Sequence, residues 1–272
     1  MSIQIRSFIV TVGAVATLAV ASAASAGGTG QARLPVRVTP THTVKNVVLV
    51  HGAFADGSGW RPVYDELTAK GYRVSVVQNP LTSFADDVAA TRRVLSRQDG
   101  PTILVGHSYG GTVITEVGVD PKVAGLVYVA ALAPDVGEST LDQFARIPAP
   151  STFVTEEQAD GFGFVNLSKF KAGFAGDTRD ADAAFLRDSQ VPIATAAMNA
   201  PVTQAAWRSK PSWFVVATED GAIDPKLLRS TATRIGAVTE EVKGSHVVFL
   251  TRPKAVASVI DRAAKNAGRA TR

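Results

Sequence analysis

The chain has 272 residues, of which 46% are hydrophobic and 19% are charged, a composition that indicates a globular protein with one sizeable core and excludes a largely disordered chain. Its net charge of +4, without a basic stripe interleaved with aromatic residues, does not favour nucleic acid as a partner. The chain contains no cysteine, which excludes disulfide bonds, thiol chemistry and cysteine-bound metal.

Residues 1–26 have the pattern of a signal peptide. Arg6 precedes an apolar stretch over residues 8–20, and small residues with two A-x-A cleavage motifs follow it. We expect cleavage after Ala26, with Ala23 as the second choice, and hence an exported protein, periplasmic or secreted. The alternative is an uncleaved membrane anchor, but the apolar stretch is short and rich in Ala, Thr and Gly, whereas a span needs about 20 strongly apolar residues. Stable membrane insertion is therefore not expected after cleavage.

A linker is predicted over residues 27–45, and a regular alternation of strands and helices follows it. Short apolar runs predict buried strands, and apolar positions at helical spacing predict the helices between them. The predicted strands cover residues 46–50, 72–77, 102–105 and 123–129, and the predicted helices cover residues 60–70, 84–97 and 110–117. This alternation indicates a parallel sheet with helices on both faces.

The turn after the third predicted strand carries the motif Gly106-His107-Ser108-Tyr109-Gly110, which has the form G-x-S-x-G. Such a turn holds its serine in a strained backbone conformation at the carboxyl edge of a sheet, so small residues are needed two positions before and after it. Gly106 and Gly110 meet that need. Because the motif follows a predicted strand and opens a predicted helix, we predict that Ser108 is a nucleophile.

Residues 134–210 interrupt the alternation and contain no convincing strand. Helices are predicted near residues 139–146, 167–174, 180–188 and 193–198. We interpret this insertion as a helical cap, or lid, over the carboxyl edge of the sheet. Several of its phenylalanines are also expected to form a small core of its own.

The alternation resumes after residue 210. Strands are predicted over residues 212–218 and 238–242, and helices over residues 225–235 and 253–266. The core is thus assigned to residues 46–133 and 211–272. The whole pattern predicts an α/β fold with a doubly wound, mostly parallel sheet of six strands or slightly more.

A serine hydroxyl needs a base within hydrogen-bond reach and a third group that orients this base. The sequence offers four histidines. His42 lies in the predicted linker, His51 follows the first strand, and His107 precedes the serine and is expected to point away from its pocket. His246 follows the last predicted strand, in a loop at the same sheet edge as Ser108, and is predicted to be the base.

The orienting acid is expected between the serine and the base in chain order, at the carboxyl end of a strand. Asp220 fits best because it lies between residues 212–218 and Gly221. Its neighbours Glu219 and Asp224 compete with it, and Asp135, after the strand at residues 123–129, offers another geometry.

Two backbone N–H groups are expected to form an oxyanion hole. One is that of Tyr109, directly after the nucleophile, and the other is that of Ala53, with Phe54 as the second choice. Gly52 allows the backbone to approach the substrate oxygen. His51 is expected to hold this loop by a hydrogen bond, and Phe54 and His107 are expected to contact the substrate.

Four segments occur in the order found in the α/β-hydrolase superfamily, which the chain resembles over about residues 45–266. They are Val-His-Gly-Ala (50–53), Gly-His-Ser-Tyr-Gly-Gly (106–111), Thr-Glu-Asp (218–220) and Gly-Ser-His (244–246). The chain is similar to the plant methylesterase and hydroxynitrile lyase group and its bacterial esterase relatives. The resemblance implies a hydrolase without cofactor or metal that cleaves small-molecule carboxylic esters through an acyl-enzyme, beneath a cap that shapes the substrate pocket.

Departures within that group favour hydrolysis. The hydroxynitrile lyases have a threonine and a lysine where this chain has Gly52 and Val247, and a serine nucleophile argues against haloalkane dehalogenases and dienelactone hydrolases. A cofactor-free perhydrolase or an acyltransferase would share the same three side chains. A non-catalytic ligand-binding protein on the same fold is the alternative from another class. The sequence carries no indication of an oligomeric state.

Overall fold

The computed structural model describes residues 43–270, and the core of this part is a six-stranded, fully parallel sheet. Its strands are β1 (Asn46–Val50), β2 (Arg73–Val76), β3 (Thr102–His107), β4 (Val123–Val129), β8 (Ser212–Ala217) and β9 (Val238–Val242). They lie in the order β2-β1-β3-β4-β8-β9. The predicted signal peptide and nearly all of the predicted linker lie outside the described residues.

The burial of each strand explains which two strands lie at the edges of the sheet. The four central strands consist of buried residues only, as expected for parallel strands covered on both faces. The two outer strands are more polar: Arg73 is exposed on β2, and Val238, Thr239 and Glu241 are exposed on β9. A strand with exposed residues is tolerated at an edge and not between two covered strands.

Helices cover the sheet on both faces. They are α1 (Arg61–Ala69), α2 (Phe84–Ser96), α3 (Gly110–Val117), α8 (Pro225–Arg234), α9 (Val248–Thr251) and α10 (Pro253–Ala270). The connection from β1 to β2 runs one way along the sheet, and those from β2 to β3, β3 to β4 and β8 to β9 run the other way. Since such crossovers are right-handed, α1 lies on one face and α2, α3 and α8 lie on the other. Helix α10 packs against α1 and therefore covers the first of these faces.

The six-stranded sheet and its alternating helices are confirmed, with boundaries that differ by a few residues from those predicted. Helix α1, for example, begins at Arg61 after a short 3-10 turn over Gly57–Trp60. None of the helices in the described part of the chain is both long enough and apolar enough to cross a bilayer.

The segment between β4 and β8 is not purely helical, which corrects the sequence analysis. It contains α4 (Thr140–Arg146), α5 (Phe170–Phe174), α6 (Asp180–Asp188) and α7 (Thr195–Asn199), and also the strands β5 (Thr155–Glu157), β6 (Phe162–Val165) and β7 (Ile193–Ala194). These strands form a small antiparallel sheet in the order β5-β6-β7. They have only two to four residues each, too few for an alternating pattern to be distinguished from a loop. Gly161, at φ +82°, lies in the turn between β5 and β6.

Candidate active site

Ser108 lies on a sharp turn between β3 and α3, with a backbone φ of +52°. This left-handed conformation is strained for a serine, and it places the residue at the carboxyl end of a central strand. Gly106 and Gly110 make this turn possible because neighbouring backbone atoms lie too close to them to leave room for a side chain. A Cβ at Gly106 would lie 2.5 Å from the carbonyl oxygen of Gly110, and a Cβ at Gly110 would lie 2.7 Å from that of His51.

We therefore expect Gly106→Ala to destabilise the protein by about 1–3 kcal/mol, because the new methyl group meets backbone atoms that have no room to move. Gly100→Ala is the matched control, since a Cβ there has no neighbour closer than 3.8 Å. Urea unfolding of both variants measures the difference. Equal stabilities would show that the turn is not held as tightly as the structure indicates.

The base and the acid predicted from the sequence are in direct contact. His246 Nδ1 lies 2.8 Å from Asp220 Oδ2, and both side chains are almost fully buried. The other carboxylate oxygen, Asp220 Oδ1, accepts hydrogen bonds from the backbone N–H groups of Ala222 and Ile223 at 2.8 and 2.9 Å. Both oxygens are thus fixed, so the carboxylate orients the imidazole ring and cannot easily turn away from it.

The three competing carboxylates have other partners. Glu219 forms a long, exposed ion pair with Lys243 at 3.5 Å. Asp224 caps α8 by accepting a hydrogen bond from the N–H group of Lys226 at 2.7 Å. Asp135 accepts a hydrogen bond from Arg208 Nε at 2.8 Å. Of the four candidates, the structure therefore brings only Asp220 to His246.

Ser108 and His246 line the same cavity, which has a volume of about 400 Å³. Because His246 Nδ1 faces Asp220, the opposite ring edge with Nε2 remains available on the cavity side. The His246 ring is held between two other rings, with centroid distances of 4.6 Å to His107 and 5.0 Å to Phe174. This packing limits how far the imidazole can rotate.

Ala53 and Tyr109, the predicted oxyanion-hole residues, both line this cavity. Within residues 43–270, neither of their backbone N–H groups donates a hydrogen bond to another protein group, and the same is true of Phe54. Phe54 has a φ of +62°, so the loop after β1 is also held in a left-handed conformation. Free, fixed N–H groups next to a nucleophile are what stabilisation of an oxyanion requires.

A buried carboxylate that the sequence analysis missed anchors Tyr109. The Tyr109 hydroxyl donates to Asp87 Oδ2 at 2.7 Å, and the Leu81 N–H donates to Asp87 Oδ1 at 2.8 Å. Burial raises the pKa of Asp87 although both hydrogen bonds act in the opposite direction. The sequence does contain a signal for this contact. Asp87 lies on the same buried face of α2 as Phe84, and a fully buried aspartate requires a partner.

A second missed residue, Asp177, connects the segment between β4 and β8 to the loop that carries His246. Asp177 accepts hydrogen bonds from the Ser245 hydroxyl at 2.5 Å and the Thr251 hydroxyl at 2.7 Å. Burial opposes ionisation of this group, but these hydrogen bonds outweigh it and hold the pKa of Asp177 below its ordinary value. Nothing in the local sequence around Asp177 indicates this long-range contact.

His51 has the structural role that was expected. Its Nε2 accepts from the Asn79 N–H at 2.9 Å, so the proton is on Nδ1, which donates to the Gly52 carbonyl at 2.9 Å. His107, by contrast, does not line the cavity, which disagrees with its predicted contact with substrate. Its ring packs against the rings of His246 and Phe249, and its Nε2 donates a hydrogen bond to the His246 carbonyl at 3.0 Å. The strand direction at the end of β3 turns its side chain away from the serine.

Burial lowers the pKa of both His51 and His107 and so favours the neutral form of both rings in the folded protein. The unfolded chain therefore binds more protons below about pH 6.5, and stability should fall as the pH decreases from there. We expect a loss of at most about 2 kcal/mol in the free energy of unfolding between pH 6.5 and pH 5.5, with the raised pKa of Asp87 acting in the opposite direction. Urea titrations at these pH values measure it, and a flat profile would contradict it.

Comparison with known proteins identifies a family. A family model described as the alpha/beta hydrolase family matches residues 47–259. An alpha/beta hydrolase of Aspergillus novofumigatus is 26% identical over 247 residues, covering 81% of this chain and 97% of that protein. A carbendazim hydrolyzing esterase of Nocardioides is 35% identical over 138 residues, covering 46% of this chain and 56% of that protein.

Solved structures agree on the fold. An extracellular alpha/beta-hydrolase from Paenibacillus, described as a structural and functional homologue of tobacco salicylic acid binding protein 2, has a TM-score of 0.68 at 21% identity and covers 80% of this chain and 98% of its own. A crystal structure of a pyrethroid hydrolase from Sphingobium faniae has a TM-score of 0.69 at 20% identity and covers 82% of this chain and 98% of its own.

Proposed function

Because this chain belongs to the alpha/beta hydrolase family, and because Ser108 and His246 line one cavity while His246 is hydrogen-bonded to Asp220, we propose that it is a serine hydrolase that cleaves carboxylic esters or lactones. The observation that carries the proposal is the buried hydrogen bond between His246 Nδ1 and Asp220 Oδ2 beside a serine in a strained turn. One homologous protein is named an esterase and another a pyrethroid hydrolase, and these names support the same chemistry.

The geometry assigns each group a step. His246 Nε2 takes the proton of Ser108 Oγ as this oxygen attacks the ester carbonyl carbon, and Asp220 stabilises the imidazolium that forms. The N–H groups of Ala53 and Tyr109 donate to the oxyanion of the tetrahedral intermediate. His246 then gives the proton to the leaving alcohol, and the acyl-enzyme remains on Ser108. Water repeats the sequence and releases the acid.

The substrates are proposed to be of small to medium size and apolar around the scissile bond. The cavity of about 400 Å³ is lined mainly by apolar side chains, including the aromatic rings of Phe54, Phe144, Phe153 and Phe174. Phe54 and Phe153 are in edge contact, with ring centroids 6.2 Å apart. Since residues 134–210 supply 12 of the 19 lining residues, we propose that this segment is the cap that shapes the pocket.

Export is proposed from the N-terminal pattern, Arg6 followed by an apolar stretch and small residues. One structural neighbour is an extracellular hydrolase, which is consistent with this proposal. N-terminal sequencing of the protein recovered outside the cytoplasm would test cleavage after Ala26 against cleavage after Ala23.

Labelling with a fluorophosphonate probe, together with p-nitrophenyl butyrate hydrolysis, tests the function. We expect stoichiometric labelling of Ser108, identified by peptide mass, and turnover that labelling abolishes. A ligand-binding protein without catalysis would neither label nor turn over. Two additions separate hydrolysis from the related activities. With an excess of a primary alcohol, an acyltransferase forms a new ester in place of the acid. With hydrogen peroxide and an acyl donor, a perhydrolase forms a peracid in place of the acid.

A further inference from the structure

The small antiparallel sheet β5-β6-β7 presents one of its faces to the cavity. Glu157 on β5 lies directly opposite Gly163 on β6, and Gly163 lies opposite Ile193 on β7. All three residues line the cavity, as does Thr155, two positions before Glu157 and therefore on the same face. This row of residues forms a wall of the cavity that the central sheet does not contribute.

Glu157 is the one Asp, Glu, Lys or Arg among the described residues that line the cavity. Its carboxylate forms no ion pair or hydrogen bond with another group in residues 43–270, whereas the adjacent Glu156 accepts from Asn166 Nδ2 at 2.6 Å. The cross-strand neighbour, Gly163, has no side chain that could cover it, and a Cβ there would have nothing closer than 3.9 Å. An unpaired carboxylate thus faces a space that is lined mainly by apolar and aromatic side chains.

Its place in the cavity indicates which part of a substrate it meets. Glu157 and Thr155 are exposed, whereas Tyr109, Leu132 and His246 on the same cavity are buried. Glu157 therefore lies at the open end, away from the buried end where Ser108 reacts. A group that contacts Glu157 belongs to the part of the ester remote from the scissile bond.

We propose that Glu157 makes this site selective for esters that carry a cationic ammonium group remote from the scissile bond, and selective against esters that carry a carboxylate there. A carboxylate favours a cation and repels an anion, and aromatic faces favour quaternary ammonium groups in addition. Glu157 is exposed, so the attraction is screened, and we expect a preference of about fivefold rather than of many orders of magnitude. The kinetic form of this inference rests on the proposed esterase activity.

Pairs of esters that match in shape and differ in charge test it. Choline butyrate and 3,3-dimethylbutyl butyrate differ in charge on the alcohol side, and methyl 4-(trimethylammonio)butanoate and methyl 5,5-dimethylhexanoate differ on the acyl side. The quantity compared is kcat/KM of the cationic ester divided by kcat/KM of its neutral partner. In at least one pair, this ratio should be about fivefold lower in Glu157→Gln than in the wild type. Higher salt should also reduce the ratio in the wild type. Glu156→Gln, on the opposite face of the same strand, should leave the ratio unchanged.

Binding provides a measurement that needs no turnover. Calorimetry of hexyltrimethylammonium with Ser108→Ala protein should give an affinity about fivefold higher than with Ser108→Ala/Glu157→Gln protein. Equal ratios in both ester pairs, together with equal affinities, would overturn the inference. If the affinities differ but the wild type hydrolyses none of the four esters, the proposed function fails and the cation site remains.

Discussion

Replacing Ser108 with alanine is expected to abolish ester hydrolysis, with a loss of kcat of at least about 10⁴-fold. The hydroxyl oxygen is the atom that forms the acyl-enzyme, and no neighbouring group in the cavity replaces it as a nucleophile. A small rate above that in water should remain, because the N–H groups of Ala53 and Tyr109 still donate to the oxyanion when water attacks directly.

This experiment is interpretable because the substitution spares the turn. Alanine has the same Cβ as serine and tolerates a φ of +52° about as well as serine does. The unfolding midpoint of Ser108→Ala should therefore match that of the wild type. Ser96→Ala, at an exposed serine at the end of α2, is the matched control and should retain full activity. Steady-state kinetics with p-nitrophenyl butyrate measures both. Comparable turnover by Ser108→Ala and the wild type would remove Ser108 from the mechanism.

Much of this site was predictable because it depends on chain order and strand ends. A glycine two positions on each side of Ser108 indicates a turn that only small residues permit, and the contacts at Gly106 and Gly110 show why. Asp220 and His246 each follow a strand, and parallel strands place their carboxyl ends at one edge of the sheet. Chain order and strand ends therefore favoured Asp220 as the partner of His246, and the structure brings these two together.

The remaining features depend on contacts between residues far apart in the chain. Asp87 meets Tyr109, and Asp177 meets Ser245, across 22 and 68 positions, and neither segment indicates which residue its aspartate meets. The strands β5 to β7 are specified by pairing with one another and not by their composition. The contacts that His107 makes with His246 and Phe249, in place of the predicted contact with substrate, also join residues far apart in the chain.

Replacing Asp220 with asparagine is expected to lower kcat by about 10⁴-fold while the fold is retained. Asp220 Oδ1 accepts two backbone N–H groups, so the amide oxygen of an asparagine would take this position and its NH₂ group would face His246 Nδ1. Nδ1 would then have to accept a hydrogen bond, and the imidazole proton would move to Nε2. An imidazole that carries its proton on Nε2 cannot accept the proton of Ser108.

The expected change of tautomer at His246 can be observed separately from activity. Nitrogen NMR of the histidine ring should show the proton on Nδ1 in the wild type and on Nε2 in Asp220→Asn, with an unchanged unfolding midpoint. The neighbouring variants Glu219→Gln and Asp224→Asn serve as controls and should keep nearly full activity, since their carboxylates bind Lys243 and the N-terminus of α8. If Asp220→Asn remained active and kept the wild-type tautomer, then Asp220 would not be the group that orients the base. The buried hydrogen bond of 2.8 Å would then have only a structural role.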